Sequence, residues 1–304
     1  MKLVGMMPVR NEDWVLGLSL RAALLFLDEV VVLDHGSEDR TPELLASIAA
    51  EHPGRVHRLF ESDPVWRETA IRNRLLAAAR ELGATHLCAV DADEVLTGNL
   101  LGEIRGLLAA LAPGERLSLP WLSLWRGLDR YRDDESEVAT DCWMVLGFRD
   151  HPALHYSNIY DGFDIHSRKV KGHSGNRRHG RGKADGGVFH LTFANWHRLR
   201  IKTAWYKMQE RVRFPDQRSA AVLNQWYSCD LDEAGLRTRA VSPEWWEPYR
   251  AWRGEVALDA DAWHLSECRQ LWQRHGPAAF AGLELWGIPD SLSEVAAGER
   301  GPCR

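Results

Sequence analysis

A chain of 304 residues that is 45% hydrophobic and 27% charged is long enough for one large domain or two modest ones, each with a core, and reads as globular. A net charge of -5 and a pI near 6.2 exert no general pull on polyanions, so no nucleic-acid partner is expected. The five cysteines (Cys88, Cys142, Cys229, Cys268 and Cys303) are scattered and form no CxxC pair, which fits free thiols in a reducing compartment better than a disulfide framework or a zinc site.

Residues 2–7 predict a first strand. Arg10-Asn11-Glu12-Asp13 then interrupts the apolar run before a signal-peptide core could form, and no stretch is long enough to span a bilayer. A cytoplasmic location is expected, with peripheral contact at the inner face of a membrane left open by the tryptophan-rich composition. Residues 14–26 predict an amphipathic helix and 29–33 a β-branched second strand. Thr41-Pro42 opens the next helix as N-cap and first-turn proline. Residues 55–60 predict a third strand, and 67–82 a helix with Ile71, Leu75, Ala78, Ala79 and Leu82 on one face. After Gly83, the run Leu87-Cys88-Ala89-Val90 predicts a buried fourth strand. This alternation implies an α/β fold, a mostly parallel central sheet with helices on both sides.

Beyond Asp93 the alternation fades. Asn99 is placed to cap a helix ending near Leu111, 117–124 predicts another strand, and short strands with polar loops follow to Val170. Residues 171–187 hold Gly172, Gly175, Gly180, Gly182, Gly186 and Gly187 among Arg177, Arg178, Arg181, Lys183, His173 and His179, so a mobile surface loop is expected. An aromatic-rich helical region starts at Phe193, with helices near 199–211, 262–274 and 277–283. The expected organisation is a ligand-binding half over 1–124, an acceptor-side segment with the basic loop over 125–190, and a helical C-terminal region over 191–304.

The chemistry concentrates at predicted strand ends. Asp91-Ala92-Asp93 follows an apolar run directly, and in open α/β sheets ligands sit beyond the carboxyl ends of the strands. Two hard oxygen ligands there suit a divalent Mg or Mn ion bound to phosphate. Two further polar loops, Pro8-Val9-Arg10-Asn11-Glu12 and Asp34 to Thr41, follow the first and second strands and lie along the same edge.

In these three loops the chain resembles the GT-A fold glycosyltransferases, specifically the family 2 type. That family has a Pro-x-x-Asn-Glu loop, an Asp-x-Gly-Ser-x-Asp-x-Thr loop and an Asp-x-Asp motif in this order. The resemblance covers residues 1 to about 124; His35 departs from it, standing where the family usually has a second acid. It implies a Rossmann-like GT-A sheet whose first half binds a nucleotide sugar through Pro8, Arg10, Asn11, Glu12, Asp34, Ser37, Arg67, Asp91 and Ala92. It further implies Mn2+ or Mg2+ on Asp91 and Asp93, with Glu94 behind them. Arg72 reads as a solvated helix face. His190, which precedes Arg198, Lys202 and Tyr206 at helical spacing, is a candidate third ligand, with a satisfied core histidine as the alternative.

The resemblance also implies a carboxylate base in mid-chain. Asp164 is the first candidate and Asp161 the second, with His166 behind them and Asp133, Asp134 or Glu135 as substitutes. Trp121 and Trp125 are candidates for stacking an acceptor sugar, and the basic loop for a lid over the leaving diphosphate. The activity implied is metal-dependent transfer of a sugar from a nucleotide-diphosphate donor to a hydroxyl of a glycan, lipid or small-molecule acceptor, with inversion. The alternatives are a nucleotidyltransferase that makes nucleotide sugars and a non-catalytic nucleotide- or carbohydrate-binding module.

Overall fold

In the computed structural model, residues 1–63, 65–134, 143–158, 168–180, 182–228, 231–286 and 288 are described. β1 (Leu3–Val9) is buried along its whole length, as an apolar strand covered on both faces must be. After α1 (Leu16–Leu24) comes β2 (Glu29–Asp34), and after α2 (Thr41–Glu51) comes β3 (Val56–Phe60). α3 (Glu68–Glu81) leads into β4 (His86–Ala89), and β5 (Glu94–Leu96) follows the Asp-x-Asp turn. Then come α4 (Ile104–Ala109), β6 (Glu115–Ser123), β7 (Arg130–Arg132), β8 (Trp143–Arg149), β9 (His155–Tyr156), β10 (Val170–Lys171), β11 (Gly175–Arg178) and β12 (Val188–His190). The C-terminal region holds α5 (Trp196–Arg213), α6 (Ala220–Ser228), β13 (Thr238–Ala240), α7 (Arg250–Arg253) and α8 (His264–His275).

The central sheet runs β3-β2-β1-β4-β8-β6-β12-β5, with β11 also paired to β6. β1 to β4 are mutually parallel, β8 runs antiparallel between β4 and β6, β12 lies parallel to β6, and β5 closes the edge antiparallel to β12. This is the mostly parallel, helix-flanked α/β sheet expected. Alternation along β1 divides the core: Leu3, Met7 and Val9 pack with Leu16, Leu20 and Ile48, whereas Val4 and Met6 pack with Ile71, Leu75 and Ala79 of α3. Strands drawn from both sides of residue 124 share the sheet.

Two local expectations are corrected. Thr41 is the first residue of α2 and not its cap; its hydroxyl instead accepts from the Glu12 N–H at 2.8 Å. The glycine- and arginine-rich stretch expected to be a mobile loop contributes β11, in register with Glu115 to Ser118 of β6. Backbone pairing supplies the order that side-chain burial could not, helped by an Arg177–Glu115 ion pair of 2.9 Å. Gly187 permits the next approach, because a Cβ there would lie 2.0 Å from the Pro120 carbonyl oxygen. Among the described residues no helix is long and apolar enough to cross a membrane.

Candidate active site

The first two loops hold each other. Asn11 adopts a left-handed backbone, φ 53°, which turns its amide group across to the second loop. Its side-chain oxygen accepts from the Glu38 and Asp39 N–H groups at 2.7 and 3.3 Å, and its own N–H donates to Ser37 Oγ at 2.9 Å. Ser37 N–H in turn donates to Asp34 Oδ1 at 3.0 Å. Asn11, Asp34 and Ser37 therefore use polar groups to lock the strand ends, and none of them lines the cavity beyond. His35 is buried and packs edge-on against Trp66, which does line it.

That cavity, of about 430 Å³, lies between the sheet edge and the C-terminal helices. It gathers Pro8, Arg10, Glu12, Asp91, Ala92, Asp93 and His190, seven of the residues singled out in the sequence. Arg67 is not among them; its side chain is 51% exposed and pairs with Asp63 on the surface. Arg72, read from sequence as a solvated helix face, is the buried arginine instead. With its side chain 4% exposed, it pairs with Glu68 at 2.6 Å and donates to both oxygens of Asp91 at 3.1 and 2.9 Å. Arg168 reaches the same carboxylate at 3.3 Å and Glu94 at 2.5 Å. Burial would raise the Asp91 carboxyl, but Arg168 and Arg72 outweigh it and hold it low; in Glu94 burial dominates and its carboxyl is raised.

Asp93 stands in a different environment. Its Oδ2 accepts from the Thr192 hydroxyl and lies 3.5 Å from His190 Nε2 and 3.7 Å from Lys202 Nζ. Burial alone would raise this carboxyl too, yet Lys202, His190 and Thr192 keep it well below the usual carboxylate range. The main chain sets this geometry: β12 lies between β5 and β6, pairing His190 with Glu94 and Ser123, and Leu191 N–H donates to the Asp93 carbonyl at 2.8 Å. Trp121 stacks on the His190 ring at 3.9 Å.

The donor chemistry fits a divalent ion in part. One carboxylate and one imidazole converge at Asp93 and His190, a set suited to Mn or Mg that completes its shell with water and phosphate oxygens. Asp91 does not join them, because both its oxygens face guanidinium groups. Among the described residues no three His, Cys, Asp or Glu side chains are grouped to hold an ion.

The base candidates Asp164 and Asp161, together with His166 and Glu135, lie outside the described residues. Asp133 pairs with Arg239 at 2.8 Å and Asp134 with Arg132 at 3.0 Å, and neither lines the cavity. Trp121 lines it, whereas Trp125 is buried against Trp196 and Arg132. Sequence reasoning missed Trp66, Arg168 and, in the far wall that Trp205 shares, Tyr227, Trp263 and His264.

No family model and no curated protein matches the chain. Solved structures do show likeness. TarS residues 1-349 from S. aureus aligns with 99% of this chain and 92% of its own, at 12% identity and a TM-score of 0.44. The mannosyltransferase PcManGT from Pyrobaculum calidifontis, in complex with GDP-Man and Mn2+, aligns over 99% and 88% at 13% identity and a TM-score of 0.43. Glucosyl-3-phosphoglycerate synthase from Mycobacterium tuberculosis, in complex with Mn2+, UDP and glucosyl-3-phosphoglycerate, aligns over 40% and 44% at 20% identity and a TM-score of 0.30. TM-scores this low decide neither fold nor chemistry, which are read from the chain's own sheet and cavity.

Proposed function

We propose that the chain is a GT-A type, family 2-like glycosyltransferase that moves a sugar from a nucleotide-diphosphate donor to an acceptor hydroxyl. One observation carries this reading: a single cavity at the ends of parallel strands is lined by four carboxylates (Glu12, Glu68, Asp91, Asp93) and four permanent cations (Arg10, Arg72, Arg168, Lys202). Such a balanced wall has no net charge to attract a bare polyanion. It suits a nucleotide sugar whose two diphosphate charges are matched by a divalent ion, an overall neutral guest.

Asp93 and His190 would hold that ion, which when bound supplies positive charge to the diphosphate. The chain's residues do the rest. Arg72 and Arg168 fix Asp91 at the cavity wall, where it can accept from a donor hydroxyl. Trp121 offers an indole face for the apolar side of a sugar ring. The acceptor oxygen attacks the anomeric carbon as the bond to the diphosphate breaks, and its proton passes to a carboxylate; Asp164 is assigned that role, with Asp161 as its substitute. A nucleotidyltransferase is disfavoured, because residues 8–12 lack the glycine-rich phosphate loop that such chemistry uses after β1.

The test is a thermal-shift screen of UDP, GDP and dTDP with and without MnCl2. A ligand at 100 times its Kd stabilises the native state by about 2.7 kcal/mol. One nucleotide is expected to raise the melting temperature and Mn2+ to add to it. Asp93→Ala removes the added part and keeps the fold. If no nucleotide shifts the wild type under either condition, the proposal fails.

A further inference from the structure

α5 presents Leu199, Lys202, Thr203 and Tyr206 to the cavity, residues three and four apart on one helical face. Lys202 differs from the other cations of that wall. Arg10 is 2.7 Å from Glu267, Arg72 is 2.6 Å from Glu68, and Arg168 is 2.5 Å from Glu94. Lys202 Nζ is 3.7 Å from Asp93 Oδ2 and 3.4 Å from Thr192 Oγ1. It is thus the most loosely paired cation lining the cavity among the described residues. An ammonium has three N–H donors, and two such long contacts leave it able to donate to a ligand.

Its place beside Asp93 has a consequence. An ion bound to Asp93 and an ammonium 3.7 Å from the same carboxylate oxygen repel each other, and a further anion in contact with both offsets that repulsion. The departing diphosphate is such an anion. Resting on the glycosyltransferase reading, we infer that Lys202 is a catalytic residue: its ammonium donates to the leaving diphosphate and couples nucleotide binding to ion binding at Asp93. In the step it serves, the anomeric carbon–oxygen bond breaks with its electron pair going to the diphosphate, which gains one negative charge. The acceptor oxygen forms the new bond and gives its proton to the carboxylate base, while Lys202 keeps its own proton throughout.

Mn2+ affinity by electron paramagnetic resonance and UDP and GDP affinity by calorimetry, on wild type, Lys202→Met and Lys202→Arg, test this. In Lys202→Met, Mn2+ is expected to bind about threefold to tenfold more tightly without nucleotide, because a like charge is gone. The preferred nucleotide binds at least tenfold more weakly, and turnover of its sugar donor falls by about 10² to 10³, the usual loss when one donor to a developing anion is removed. Lys202→Arg retains the wild-type Mn2+ affinity and recovers part of the nucleotide affinity. Unchanged Mn2+ and nucleotide affinities in Lys202→Met, in protein that melts as the wild type does, overturn the inference while leaving the transferase reading intact. Wild type that binds none of UDP, GDP and dTDP, with or without Mn2+, overturns both. If Lys202→Met is unstable, Lys202→Gln takes its place: unchanged Mn2+ and nucleotide affinities in folded Lys202→Gln reject the role.

Discussion

Replacing Arg72 by Met tests the buried charge network under the cavity. The guanidinium is held between Glu68 and Asp91 with its side chain 4% exposed, and the Glu68 side chain is 7% exposed. Removing one partner of a buried ion pair costs about 3 to 5 kcal/mol, because the remaining charge keeps its desolvation penalty. The lower end, about 3 kcal/mol, is expected here, since Asp91 is 25% exposed and keeps Arg168 at 3.3 Å. Glu68→Met in the same chain removes that buried carboxylate, so the double variant should recover about 2 kcal/mol of the loss. Urea denaturation measures these differences as shifts in midpoint at constant slope. Arg67→Met, at the exposed start of the same helix, should cost no more than about 0.5 kcal/mol. Equal losses for Arg67→Met and Arg72→Met would refute the placement of the buried arginine.

Asn11→Ala should cost about 2 to 4 kcal/mol in the same assay, since it removes the one side-chain oxygen that accepts from the Glu38 and Asp39 N–H groups and forces alanine into a left-handed conformation. Asn11→Gly, free of that strain, should cost less. His264 is buried, and burial with Arg198, Lys202 and Arg10 nearby holds its imidazole well below the usual value of 6.5. The unfolded chain therefore takes up a proton that the native state refuses. This contribution to stability is present above pH 6.5 and is lost as the pH falls, by about 1 kcal/mol between pH 7.5 and 5.5. His264→Phe should flatten that part of the urea-midpoint profile, and an unchanged slope would refute the assignment.

Much of the sheet was legible because its signals are local. The apolar runs of β1, β2 and β4 and the helical face of α3 are readable by periodicity, and an abrupt pair of acids after β4 marks a strand end. The same local logic failed at Arg72, since a Glu-x-x-x-Arg spacing is identical on a wet face and a buried one; contact with Asp91 and with Tyr156 of β9 decides which it is. It failed at β11 because glycine and arginine carry no strand propensity, and pairing with β6 does not depend on any. Trp263 and His264 come from the far end of the chain with no motif around them. Their place in the wall follows from α8 packing on α5, a tertiary contact that no residue spacing announces.

Main-chain pairing of β12 with β5 and β6 brings His190 beside Asp93, and stacking on Trp121 holds the imidazole there. His190 ends β12 and Asp93 sits in the turn just before β5, where its carbonyl accepts from the Leu191 N–H, so backbone contacts place both. The backbone thus fixes where the donor at 190 stands while its side chain sets its hardness, so on the proposed reading His190→Asp is expected to shift ion preference toward harder cations.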